Sequence, residues 1–112
     1  MPTKSPVLLL IFNRPDITLR VFEQIKLAQP SKLYIAADGP RDNVPTEREL
    51  CDAARDILNF VDWECEVKTL LRDINLGCKY AVSNSIDWFF ENEEEGIILE
   101  DDCLPNDDFF SF

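Results

Sequence analysis

The 112-residue chain contains no histidine, only three glycines, and no Lys or Arg after Lys79. Without histidine there is no Ser-His-Asp triad, no imidazole base and no His-containing zinc site. The four cysteines, Cys51, Cys65, Cys78 and Cys103, stand 14, 13 and 25 residues apart with no CxxC pair, which argues against zinc and against a thioredoxin-like motif. Three of them fall on positions that read as apolar, so reduced, buried thiols in a cytoplasmic protein are expected. No basic start leads into a long apolar segment. The longest apolar run, Val7 to Phe12, is too short for a signal-peptide core or a membrane span. A glycine-rich P-loop is missing as well, so any nucleotide diphosphate has to be held by a metal and isolated cations.

The missing cations locate the charge. The chain carries 22 acidic and 11 basic residues, a net charge of −11. Residues 1 to 79 hold 12 of the acids and all 11 basic residues, whereas residues 80 to 112 hold 10 acids and no base. A field confined to one segment points to a cation, a basic partner, or further sequence that is missing here. It disfavours nucleic acid, whose phosphates need a basic footprint. With 46% hydrophobic residues the chain is expected to fold as one domain or part of one.

Apolar periodicity then gives the elements. Pro6 to Phe12 reads as a strand buried on both faces, and Pro15 and Asp16 open a helix with Ile17, Val21, Phe22, Ile25 and Ala28 on one side. Lys32 to Asp38 reads as a second strand. The helix after Pro45 is expected to turn Leu50, Ala53, Ala54, Ile57, Leu58 and Val61 inward. Glu64 to Leu71 alternates like an edge strand, with Cys65, Val67 and Thr69 on the core side. Cys78, Ala81, Val82, Ser85, Ile86 and Phe89 form a third helical face, and Glu93 to Glu95 reads as its solvated end. Gly96 to Leu99 is a fourth strand, buried like the first, that runs into Glu100-Asp101-Asp102. A β-α-β-α-β-α-β order with short connections predicts an α/β fold with a mostly parallel sheet and helices on both faces.

In such sheets ligands bind beyond the carboxyl ends of the strands, near the reversal of strand order. Those ends carry Asn13-Arg14, Asp38-Gly39, Arg72-Asp73 and Glu100-Asp101-Asp102. Three adjacent carboxylates suit a hard divalent cation, and they equally suit a solvated loop. Asp38-Gly39 is either an ordinary turn or a carboxylate accepting from a base N–H or ribose hydroxyls. Asn13-Arg14 either caps the first helix or aims a guanidinium at a diphosphate or base. The same choice holds for Arg72 and for Lys79, which lies on the first turn of the third helix, where an anion is favoured.

The stretch Ile97-Ile98-Leu99-Glu100-Asp101-Asp102-Cys103-Leu104-Pro105-Asn106-Asp107-Asp108-Phe109-Phe110 resembles GT-A glycosyltransferases of the N-acetylglucosaminyltransferase I type, with an E-D-D form of the D-x-D motif and a following D-F-F segment. Val7 to Leu19 is similar to that type's first strand and helix, and Asn75-Leu76-Gly77 to the N-x-G of family 2 glycosyltransferases. The resemblance implies a Rossmann-like three-layer α/β/α domain over residues 1–112, the N-terminal donor-binding portion of a longer, metal-dependent, inverting enzyme. It places Mn or Mg on Asp102, the ribose or donor sugar near Asp101, and the sugar hydroxyls near Glu100. Asp38 would read the uracil of a UDP-sugar, and Arg14 would lie by the base or diphosphate. Phe12 and Asn13 would line the nucleoside pocket, with Lys79 near the phosphates. The general base and the acceptor site belong beyond Phe112 in that family, so the chain alone is expected to bind a donor without transferring its sugar. The aromatics Phe109, Phe110 and Phe112 invite self-association. A competing expectation is a receiver-like or regulatory α/β module that holds Mg or a basic partner at its acidic strand end, although such modules place their acids after the first strand. A third is an acidic segment that contacts a basic surface elsewhere in a longer chain.

Overall fold

A computed structural model describes residues 5–100 of the chain. The elements run β1 (Val7–Ile11), α1 (Pro15–Ala28), β2 (Lys32–Ala37), α2 (Glu47–Arg55), a 3-10 segment (Asp56–Phe60), β3 (Glu66–Leu71), α3 (Cys78–Asn92) and β4 (Ile97–Glu100). All strand pairs are parallel, in the order β3-β2-β1-β4. This is an α/β fold compatible with a Rossmann-like arrangement, in which the order reverses beside the first strand.

The continuous apolar run of β1 makes it the central strand, since every one of its residues is buried. Alternate side chains enter different clusters because strand residues point to opposite faces. Val7, Leu9 and Ile11 pack with Val21, Phe22 and Ile25 of α1, Ala54 of α2 and Ile57. Leu8 and Leu10 pack instead with Tyr34, Ala36 and Phe89, flanked by Val82, Ile86 and Trp88 of α3. Each large side chain removed from water in this way contributes about 1.5–3 kcal/mol before chain entropy is subtracted. Helix α1 begins with Pro15 at its first turn and ends at Gln29 in the left-handed conformation.

Four expectations change. Helix α2 turns Glu47, Cys51 and Ala54 inward, while Leu50 and Ala53 face solvent. Glu47 is anchored inside by polar partners, which rotates the helix away from its apolar reading, and the 3-10 segment then brings Ile57 beneath Ala54. Strand β3 does lie at the sheet edge, but Val67 and Thr69 are exposed and Lys68 and Leu70 are half-buried. Lys68 lies half-buried because its Nζ sits over the Tyr34 ring, 5.6 Å from the centroid, in a cation–π contact.

Glu93 is not solvated either. Its carboxylate accepts from the Tyr34 hydroxyl at 2.5 Å and from Lys32 Nζ at 3.3 Å. A buried phenol needs an acceptor, and these bonds lower the Glu93 pKa while burial raises that of Tyr34. Cys51 is buried, and burial pushes its thiol up; Cys65 is half-buried, and Cys78 is exposed rather than buried. Asp101, Asp102, Cys103 and the three terminal aromatics lie outside the described residues.

Gly96 joins α3 to β4 where a Cβ would stand 2.3 Å from Phe89 Cζ and 2.9 Å from the Pro6 carbonyl oxygen. Gly96→Ala is therefore expected to lower stability by roughly 1–3 kcal/mol through overpacking, read as a lower urea midpoint. An unchanged midpoint would contradict this packing.

Candidate functional site

A pocket of about 580 Å³ opens at the carboxyl ends of β1, β2 and β4. Its apolar floor includes Leu10 and Ala36 from the sheet and Ala81 and Val82 from α3. Around it stand Phe12, Asn13, Arg14, Asp38, Arg41, Asn75, Gly77, Cys78, Ser85 and Glu100. Five residues singled out from the sequence, Phe12, Asn13, Arg14, Asp38 and Glu100, thus meet here. Lys79 does not line this pocket. It borders a shallower one of about 430 Å³ beside α3, shared with Cys78 and Glu100. Asp101 and Asp102 lie outside the described residues.

Asp38 is the best-fixed polar group of the site. Its Oδ1 accepts from the backbone N–H groups of Gly39 and Leu76, both at 2.9 Å. Its Oδ2 accepts from Asn75 Nδ2 at 3.1 Å and from the Gly77 N–H at 3.2 Å. A carboxylate offers about four acceptor positions, and this one fills four with a single turn and loop. The loop seats only because residue 39 is glycine: a Cβ there would lie 2.6–2.7 Å from the backbone of Asp73 and Ile74. Gly77 has φ of +86°, a conformation that L side chains rarely adopt, and it starts α3. The N-x-G segment is therefore a clamp between the end of β2 and the start of α3.

Arg55 closes the same region from below, donating from Nη2 to the carbonyls of Asp38 at 3.2 Å and Arg72 at 2.6 Å. Arg72, weighed from the sequence as a phosphate contact, spends its guanidinium on Ser85 Oγ at 3.1 Å and Asn84 Oδ1 at 2.9 Å. It braces α3 against the end of β3.

A second network was not legible from spacing. Glu47, 1% exposed, holds Arg41 through Nε at 2.9 and 3.1 Å and through Nη2 at 2.6 Å, and also accepts the Arg41 backbone N–H. Asn13 Nδ2 donates to the same carboxylate at 3.0 Å. The Arg41 bonds, aided by Asn13, hold the Glu47 carboxyl down at about 2, against an ordinary value of 4.5. Residues from β1's end, β2's end and α2's start thus converge on one carboxylate. No sequence motif marks an Arg and a Glu six residues apart across a turn; a buried acid at the first helical position is the only trace.

Among the described residues, no three His, Cys, Asp or Glu side chains come together in a way that could hold a metal ion. No described helix is long and apolar enough to cross a membrane. Comparison of the chain with protein-family models, curated proteins and solved structures finds no match.

Two measurements follow from these networks. Asp38→Asn places an NH2 among four donors, so a loss of about 1–3 kcal/mol is expected, with faster hydrogen exchange at Leu76 and Gly77. Because the folded pKa of Glu47 is depressed, its contribution to stability is whole above about 4.5 and is lost as pH falls towards 2. Urea midpoints between pH 5 and 2 should drop less steeply in Glu47→Gln than in the unaltered chain.

Proposed function

We propose that this chain is the donor-binding part of a metal-dependent glycosyltransferase, of the Rossmann-like three-layer GT-A type, and that its pocket takes the nucleoside diphosphate of a sugar donor. The observation that carries this reading is the pocket's position and polarity. It lies where the strand order reverses, with Arg14, Arg41 and the start of α3 on its rim and Glu100 at the end of β4. The first turn of α3 has N–H groups with no carbonyl a turn earlier to bind, which favours an anion there. The apolar floor suits a flat base. The two core clusters on opposite sides of the sheet support the three-layer architecture.

Each residue has a part to play in this reading. Arg14, exposed at the N-cap of α1, attracts the diphosphate. Phe12 and Asn13 flank the nucleoside, and Glu100 faces the donor sugar, followed by Asp101 and Asp102. Lys79 adds positive charge beside α3 without touching the main pocket. Asp101 and Asp102 follow Glu100 in the sequence, and carboxylates such as these suit Mn or Mg; in this reading Asp102 would hold the metal, which when bound would offset the charge that grows on the leaving diphosphate. No described residue is assigned as a general base. Buried and half-buried thiols at Cys51 and Cys65 accord with a reducing, cytoplasmic setting.

Titration of the 15N-labelled chain with UDP and Mg²⁺ is expected to shift the amides of Asn13, Gly77 and Ser85, with Mn²⁺ broadening resonances near Glu100. No change at those amides overturns the proposal. Metal binding unaffected by nucleotide would favour the receiver-like module instead.

A further inference from the structure

We infer that the open edge of β3 pairs two copies of this chain, antiparallel about a two-fold axis at Thr69, and so joins two four-stranded sheets into one. Among the described residues β3 ends the sheet and pairs with β2 alone. The Glu66 N–H donates to the Ser31 carbonyl at 2.9 Å and the Arg72 N–H to the Ala37 carbonyl at 3.0 Å. Backbone groups alternate in direction along a strand, so residues 66, 68, 70 and 72 face β2. The N–H and C=O groups of Val67, Thr69 and Leu71 therefore point away from the sheet, and such a row is a template for another strand.

The same three residues share one face, beside Leu33, Ile35 and Ala37 of β2. Those β2 residues are buried with α1 and α2, whereas Val67 and Leu71 stay 37% and 39% exposed. The segment leading into β3 adds Phe60, which is 50% exposed. Soluble proteins guard such an edge with a proline, a bulge or an outstanding lysine. Strand β3 has no proline, its register with β2 runs unbroken from Glu66 to Leu71, and its one lysine leans back over the Tyr34 ring. The edge is open, partly apolar and unguarded.

The strand's own sequence selects a second copy and sets the register. With Thr69 opposite the partner's Thr69, Val67 meets the partner's Leu71, an apolar pair made twice by symmetry, and Glu66 meets the partner's Arg72, of opposite charge. Each outward-facing residue then exchanges both its backbone bonds with one of the partner's. An axis at Lys68 would set two ammonium groups face to face, and an axis at Val67 would leave Leu71 beyond the apolar pairs. Charge allows the approach, because β3 carries one acid and one base while the chain's acidic excess belongs to residues 80–112. An isologous contact of this kind closes at a dimer. The strands of the two copies run oppositely, so their strand-end pockets open on opposite sides of the joined sheet, and the inference is independent of what those pockets bind.

The test is sedimentation equilibrium of the 112-residue chain under reducing conditions, so that the exposed Cys78 forms no cross-link. Salt at about 0.15 M screens fields beyond about 8 Å. Over about 10 µM to 1 mM, the range that a small interface calls for, a reversible monomer–dimer equilibrium is expected. Thr69→Pro removes an outward N–H from each copy and leaves the bonds to β2, so it should weaken the dimer roughly tenfold or more with an unchanged circular dichroism spectrum. Thr69→Lys and Thr69→Glu, which serve if the proline disturbs the strand, each set like charges at the axis. Each alone should shift to monomer, and an equimolar mixture of the two should recover the dimer, which a loss of folding would not allow. A chain that stays monomeric throughout, a dimer that survives all three variants, or a mixture that recovers nothing overturns the inference. So does a dimer that is lost when Phe109, Phe110 and Phe112 are changed to serine, which assigns association to those aromatics instead.

Discussion

The carboxylate of Asp38 governs the upper half of this molecule. It sits at the buried end of β2, where an unpaired charge would be costly, and it is relieved by four N–H donors from one turn and one short loop. Those donors converge only if the loop after β3 folds back over β2. That path requires a glycine at position 39 for close approach and one at position 77 for its backbone angle. The start of α3, and with it one wall of the pocket, is a consequence of satisfying that carboxylate.

Glu47 solves the same problem with side chains instead of backbone. Arg41 and Asn13 share its two oxygens, and the result ties the ends of two strands to the first residue of α2. One acid thus organises a loop and the other a pair of side chains. The two arrangements differ in what they leave available: the first is saturated, and the second exposes unused polar atoms to the pocket.

The parallel α/β order was legible from residues 5–100 because each strand is an apolar run and each helix carries a 3.6-residue stripe. The edge place of β3 could be read from its alternating apolarity, but continuous apolarity did not mark the centre: β4, expected to be buried like β1, lies at the other edge of the described sheet, with Ile98 half-buried and Glu100 exposed. Polar burial was not legible. Glu93 read as solvated charge and no pattern singled out Glu47, because their partners lie in other elements: Asn13 is 34 residues away from Glu47 and Tyr34 is 59 from Glu93. The orientation of α2 went astray for the same reason, since an anchored acid outweighs the modest gain from burying Leu50 and Ala53. Of the site, the strand-end residues were readable from the position rule for parallel sheets. Arg41 was not, because it sits in a loop with no periodicity to place it. The acidic pair Asp101 and Asp102, read from three adjacent carboxylates after a strand and given separate roles by the resemblance, lies outside the described residues.

The pairing of β1 also imposes an order of assembly. It meets β2 across 26 residues, Val7 opposite Leu33, but meets β4 across 90, Val7 opposite Ile97. Closing the longer loop costs about 1 kcal/mol more in chain entropy, and during synthesis β4 emerges last of the four strands. Strands β1 and β2 can therefore pair while the third wall is still being made. Glu100 arrives at a cleft whose Asp38 and Glu47 networks need nothing from β4, so β4 with Glu100 at its end docks onto a scaffold whose buried carboxylates already have their partners.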